Sequence, residues 1–198
     1  MATRVVAIIG SYRKGGVVDQ AVQAILAGAR SKGADTQTLY LSDLHVEFCT
    51  NCRNCTQEPG ERRGICPQND DLEKILVQIE AADAVVLASP VNCRNVTAIF
   101  RRFMERLLGY AYWPWGNPAP MVRNRIPSRR AALVASSAAP GFLIPLATGA
   151  GRALSVTARM LGAVPVGKLW IGFAAKRLDQ APSRRVLAHA RRIGMRLA

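Results

Sequence analysis

Apolar and polar positions along the chain switch repeatedly between a strand-like and a helix-like period. Residues 4–9 form a short, nearly continuous apolar run rich in Val and Ile, the pattern of a strand buried on both faces. Residues 17–32 then read as a helix, with Val18, Ala21, Val22 and Ile25 on one side. Residues 35–41 alternate as a second strand, and 84–89 form a third, fully buried one. Between these two strands, Asp70 or Asp71 can cap a helix running to about residue 82, with Leu72, Ile75, Leu76 and Ile79 apolar. Residues 96–107 carry the clearest helical stripe: Val96, Ile99, Phe100, Phe103, Met104 and Leu107. A fourth strand is expected at 131–136, a helix at 143–161, a fifth strand at 164–173 and a last helix at about 182–197. Two stretches have no sustained period. Residues 42–69 are long for a structureless connection, which points to a functional role. Residues 109–128 are dense in Pro and aromatics and read as an ordered loop or lid.

Five strands alternating with helices predict an α/β fold with a parallel sheet covered on both faces. Five strands suit the doubly wound, flavodoxin-like order 2-1-3-4-5, with the ligand crevice at the carboxyl ends of the first and third strands. The 198 residues fit one domain, 1–198, with a cysteine-rich insert at about 45–69. Apolar residues at 49%, charged at 20% and aromatic at 6% exclude a disordered chain, a collagen-like chain and a disulfide miniprotein. The apolar run at 5–9 is too short for a signal peptide or membrane span, so a cytoplasmic protein with no membrane association is expected.

Charge adds asymmetry to this picture. Residues 1–105 balance 12 basic side chains with 12 acidic ones, whereas 106–198 carry 15 basic side chains and the single acid Asp179, the whole of the net +14. Such a field attracts nucleic acid, acidic proteins or phosphorylated small molecules, unless it merely decorates a solvated surface. Arg outnumbers Lys 22 to 5, which favours bidentate contact with phosphate or carboxylate.

Three stretches carry candidate chemistry. The string Gly10-Ser11-Tyr12-Arg13-Lys14-Gly15-Gly16 leaves a buried strand and enters a helix, where backbone N–H groups and the positive helix end form an anion cradle. It matches neither the dinucleotide nor the P-loop pattern, and suits a monophosphate held by Ser11, Arg13 and the amides of Gly15, Gly16, Val17 and Val18, with Lys14 alongside. The second stretch, Ser89-Pro90-Val91-Asn92-Cys93-Arg94-Asn95, follows the third strand and can offer backbone amides and the Asn92 and Asn95 side chains to a planar ring. Cys93 reads as a small pocket-wall residue. The third holds Cys49, Cys52, Cys55 and Cys66 within 18 residues. Three cysteines at x2 spacing with a later Cys-Pro suit a 4Fe–4S cluster, ahead of zinc and then of thiol redox chemistry. His45 offers zinc one more ligand. His189 reads as a surface residue.

Together, Gly10-Ser11-x-Arg13-Lys14-x-Gly16, Cys49-x2-Cys52-x2-Cys55, Cys66-x3-Asp70-Asp71 and Ser89-Pro90-Val91 resemble the NADPH-dependent FMN reductase superfamily, specifically its iron–sulfur flavoprotein branch. The resemblance covers about residues 4–107. Two segments depart from the family pattern: Val17 and Val18 stand for Asn-Thr, and Asn92-Cys93 stands for an aromatic beside the flavin. The resemblance implies FMN on the first two loops; by topology alone, the loop at 136–141 after the fourth strand, with Ser136, Ser137 and Ala138, sits where the fold completes the flavin pocket. The resemblance also implies a homodimer or homotetramer, with each cluster near a neighbouring subunit's flavin. The apolar segment Tyr110, Tyr112, Trp113 and Trp115 reads as that interface, ahead of a flavin cover or a satellite core under the long loop.

The function expected first is an FMN-dependent electron-transfer oxidoreductase carrying a 4Fe–4S cluster, with a ferredoxin-like carrier or NAD(P)H as electron partner. The alternatives are an NAD(P)H-dependent FMN or quinone reductase without a cluster and, from another class, a basic zinc-stabilised nucleic-acid-binding protein. The last leaves the Gly10–Gly16 string unexplained and shows no motif for reading nucleic acid.

Overall fold

The computed structural model describes residues 2–123 and 127–198; Met1 and residues 124–126, part of the 109–128 loop expectation, lie outside the described residues. Strands β1 (Arg4–Ile9), β2 (Asp35–Tyr40), β3 (Ala84–Pro90), β6 (Arg129–Ser136) and β7 (Ala163–Ile171) form one sheet in the order β2-β1-β3-β6-β7. All four pairings are parallel. This is the expected 2-1-3-4-5 order. A separate two-residue hairpin, β4 (Ala111–Tyr112) with β5 (Met121–Val122), lies within the Pro- and Trp-rich stretch.

Helices α1 (Val17–Arg30), α2 (Leu72–Glu80), α3 (Ala98–Glu105), α4 (Leu143–Ala147), α5 (Ala150–Met160) and α6 (Arg184–Met195) complete the chain. Two apolar cores sandwich the sheet. Phe100, Phe103, Ile75, Ile79 and Leu154 fill one side; Val22, Ile25, Leu26, Ala190 and Ile193 fill the other. The central strands β1 and β3 therefore read as continuous apolar runs, since both of their faces are covered.

Two expected helices end differently from their apolar pattern. The helix expected at 143–161 is broken into α4 and α5 by Thr148, whose backbone is extended, and Gly149. The break makes room for the loop after β3. Gly149 N–H donates to the Arg94 carbonyl at 2.8 Å, and a Cβ on Gly149 would come 2.8 Å from the Asn95 amide nitrogen. The helix expected at 96–107 starts one residue after Thr97, whose side chain caps it, and tightens into a 3-10 turn at Arg106–Tyr110. That turn aims Arg106 inward, with consequences for the cysteine segment. The remaining ends shift by a few residues: the expected 17–32 closes at Arg30, 131–136 begins at Arg129, 164–173 spans Ala163–Ile171, and 182–197 spans Arg184–Met195.

Candidate functional site

The carboxyl ends of β1, β3, β6 and β7 open onto a cavity of about 470 Å³, in the usual range for small-molecule sites. Its wall is built by Ser11, Tyr12, Arg13, Gly16, Val17 and Val18 after β1, and by Pro90, Val91 and Asn92 after β3. Ser136, Ser137 and Ala138 after β6, with Ala174 and Ala175 after β7, complete it. The first three loops were expected from the sequence. Tyr12 and Ala138 fall inside those expected loops, whereas Ala174 and Ala175 were not expected, since nothing in their chemistry marks them; the sheet order was the available signal. Lys14, Gly15, Cys93 and Asn95 stand outside this wall. Lys14 pairs with Asp43 at 2.6 Å, and Asn95 turns its side-chain carbonyl back to accept from the Val96 amide at 2.9 Å. Cys93 is exposed in a tight turn between Asn92 and Asn95, whose amides and carbonyls bond each other at 2.9 Å in both directions. The turn places Cys93 and Arg94 at φ of 46° and 60°.

The first loop is prepared for an anion by its backbone. Val17 and Val18 bury their side chains in the α1–α6 core and carry no polar side-chain group, so their backbone amides are what they can offer an anion. Gly16 caps α1 without a side-chain acceptor, so the amides of the first turn have no cap partner. The Ser11 hydroxyl closes a local turn with the Arg13 amide and carbonyl, both at 3.1 Å. Asp19, 6% exposed, accepts from the Gly15 amide at 2.6 Å and from the Tyr40 hydroxyl at 3.0 Å, fixing Gly15 at a positive φ of 70°. Burial, followed by this bond to Asp19, raises the Tyr40 pKa. A phosphate meets the requirements of this cradle.

Thr97 ties the first two loops together. Its hydroxyl donates to the Gly10 carbonyl, its amide donates to Ser89 Oγ at 3.0 Å, and it caps α3 through the Phe100 amide. Gly10 lies so close to Phe100 that a Cβ there would sit 2.6 Å from the Phe100 Cβ. The two loops are therefore held in fixed relation by buried groups.

The cysteine segment packs against the 3-10 turn after α3 and the 109–123 stretch. The Asp71 amide donates to the His45 carbonyl, and the His45 and Glu47 amides donate to the Asp71 and Asp70 carboxylates. Asp70 also accepts from the Leu72 amide at 3.0 Å, so its carboxylate caps α2 as well as closing the loop. The exposed His45 imidazole lies 2.8 Å from Glu47. Cys49, Cys52, Cys55 and Cys66 are all free thiols. They lie within electrostatic reach of one another: burial pushes the Cys55 thiol up, and the proximity of Cys66, Cys49 and Cys52 pushes it further. Among the described residues, no three of His, Cys, Asp or Glu stand in a finished metal-holding geometry. Four thiols near one another are nevertheless the donor set that an iron–sulfur or zinc centre requires.

Backbone approach around Cys55 is very close. A Cβ on Gly64 would fall 1.8 Å from the Cys55 carbonyl oxygen, and one on Gly109 would fall 2.4 Å from the Gly64 carbonyl oxygen. Arginines absorb the carbonyls of this segment. Arg123 donates to Gly109 and Gly60 at 3.0 Å, and Arg106 to Glu47 at 2.8 Å. Arg53 lies between Trp113 and Trp115, 3.8 and 4.2 Å from their ring centres, and donates to the Trp113 carbonyl at 2.6 Å. The aromatic segment thus covers the cysteine loop. Within it Tyr110 is buried, and its hydroxyl donates to Glu80, whereas Trp115 remains 66% exposed.

Comparison with known proteins gives relatives of two kinds. An iron–sulfur flavoprotein of Archaeoglobus fulgidus is 34% identical over 111 residues, 56% of this chain and 48% of that protein. One from Methanosarcina thermophila is 29% identical over 103 residues, 52% of this chain and 51% of that protein. The chain spans about half the length of the curated relatives it matches. Among solved structures, an azoreductase from Bacillus anthracis superposes with a TM-score of 0.72 at 16% identity, covering 98% of this chain and 99% of that one. An NAD(P)H:quinone oxidoreductase from Methanothermobacter marburgensis gives 0.67 at 19% identity, covering 100% and 96%. A flavodoxin from the Archaea gives 0.58 at 14% identity, covering 99% and 96%. These three likenesses bear on fold alone. The family model of the NADPH-dependent FMN reductases matches residues 3–142, more than two thirds of the chain, and the chain belongs to that family of flavin-dependent oxidoreductases.

Proposed function

We propose that this protein is an FMN-dependent oxidoreductase that also carries a 4Fe–4S cluster on Cys49, Cys52, Cys55 and Cys66, and exchanges electrons between one-electron carriers and the flavin. The observation that carries the reading is the pairing of two sites. One is a phosphate-ready cavity at the switch point of a doubly wound sheet; the other is a set of four neighbouring free thiols in the adjoining insert. When bound, FMN supplies two-electron chemistry and a cluster supplies single-electron transfer.

The chain's own residues have the following parts in this reading. The Val17 and Val18 amides and the Ser11–Arg13 turn bind the phosphate, with the Arg13 guanidinium at the rim. Asn92 and the Pro90–Val91 backbone meet the polar edge of the ring, and Ser136 and Ser137 close the opposite wall. Asp19 and Thr97 hold the loops so that little reorganisation accompanies binding. The four cysteines hold the cluster, under the cover formed by Arg53, Trp113 and Trp115.

The protein works as a soluble cytoplasmic homodimer or homotetramer in this reading, with NAD(P)H or an acidic, ferredoxin-like carrier as electron partner. Among the described residues, no helix is long and apolar enough to cross a membrane. The family match favours one second reading, an NAD(P)H-dependent FMN or quinone reductase without a cluster. Anaerobic reconstitution followed by absorption spectroscopy and iron, zinc and flavin analysis separates the two. Flavin with about four irons per chain supports the first, and flavin without iron supports the second.

A further inference from the structure

Arg106 stands on the 3-10 turn after α3. It is 4% exposed, and its side chain and that of Asp70 are each 1% exposed where they pair. One edge of its guanidinium fork is occupied by Asp70 and the Glu47 carbonyl. Nη2 also donates to Cys66 Sγ at 3.3 Å, within the usual limit for a sulfur acceptor. Nε is buried with no partner. Arg106 lines one small cavity together with Cys55 and Cys66.

A guanidinium buried in this way needs a reason beyond binding Asp70. Burial disfavours its charge, and the bonds to Asp70 and Cys66 restore it. With its formal charge largely matched by Asp70, what Arg106 presents to the cysteines is a fixed N–H donor and the residual field of the pair. Hydrogen bonds to ligand sulfur and the net charge nearby are two of the quantities that set the potential of an iron–sulfur centre.

We propose that Arg106 and Asp70 form a tuning pair for the cysteine centre, Arg106 stabilising its reduced, more negative form through Cys66 and Asp70 limiting that effect. The inference rests on the cluster reading given above. Arg106 acts through Cys66 and is a positioning residue. The electron exchanged comes from the one-electron carrier, and no bond or proton moves at Arg106.

The test is an anaerobic redox titration of the reconstituted, flavin-loaded protein, with iron content measured on each sample. The double variant Arg106→Met/Asp70→Asn removes the donor without leaving a buried carboxylate unpaired, and Asp70→Asn alone leaves the guanidinium uncompensated. The double variant should lower the cluster midpoint by about tenfold in the reduced-to-oxidised ratio, about 59 mV for one electron. Asp70→Asn should raise it by a similar factor, and the flavin midpoint should stay where it is. A purely structural role would not give shifts of opposite sign. Iron-loaded variants whose midpoints stay at the wild-type value, or move the same way, overturn the inference and leave the cluster reading intact. Wild-type protein that takes up flavin but no iron overturns both.

Discussion

At Arg13 an exposed guanidinium stands on the cavity wall with a single long-range bond, to the Leu178 carbonyl at 3.2 Å. Its replacement by Ala should weaken FMN by about 1.5–3 kcal/mol, the range for a charge-assisted hydrogen bond, measured by flavin fluorescence titration. Unchanged affinity would assign the phosphate to the backbone amides alone. Asp70 makes a different kind of demand. Burial pushes its carboxyl up, but the Arg106 hydrogen bond and the Glu47 and Leu72 amides override this and hold its pKa below the ordinary value. A carboxylate whose pKa is depressed on folding stabilises the protein above its unfolded pKa, about 3.9, and loses that contribution as pH falls through the folded value. Removing one partner of such a buried pair costs about 3–5 kcal/mol, so Asp70→Asn should be less stable by that order at pH 7. Urea unfolding should show the gap constant from pH 8 to 5 and closing below about 3.9. A gap that persists unchanged to pH 2 would remove Asp70 ionisation as its source.

Among the elements, the buried strands were the most legible in the sequence, because a strand covered on both faces can hardly avoid an unbroken apolar run. Helix ends were less so. The break at Thr148–Gly149 depends on the approach of Asn95, more than fifty residues away in the chain, and no local pattern records it. Arg106 was hidden for a similar reason: a charged residue at the end of an amphipathic stripe looks like a solvated position until the 3-10 turn aims it at Asp70. The phosphate loop was legible because Gly and cationic residues at a strand-to-helix junction have few other uses, whereas Asp19, which supports it, looks like an ordinary first-turn acid. Close packing at the cysteine insert yields a prediction at this scale. Gly64→Ala must push the Cys55 segment away, since its Cβ would meet a carbonyl oxygen at 1.8 Å. Overpacking of this kind costs about 1–3 kcal/mol. The variant should lose most of its iron on reconstitution while binding FMN as before, and full iron uptake would show that this contact yields easily.

At the scale of the whole molecule, the sheet gathers four strand ends at one crevice, and the insert between β2 and α2 sets a thiol-rich segment against the turn after α3. The exposed face of α6 carries Arg184, Arg185, Arg191 and Arg192, with Arg196 at its C-cap, part of the half of the chain that holds the whole net charge. An acidic carrier steered by this field should turn over more slowly as salt rises, because the Debye length shrinks to about 8 Å at 0.15 M. A rate that is flat from 20 to 300 mM salt would make the arginines a solvated surface. The four cysteines decide between a cluster-bearing flavoprotein and a plain flavin reductase. The most direct test is metal and flavin analysis of anaerobically reconstituted wild-type protein beside the four single Cys→Ser variants at 49, 52, 55 and 66. About four irons and one FMN per wild-type chain are expected, with the broad visible absorption of a cluster lost in every variant while FMN is retained. One zinc and no iron in the wild type, or iron content indifferent to the four substitutions, would contradict the cluster reading.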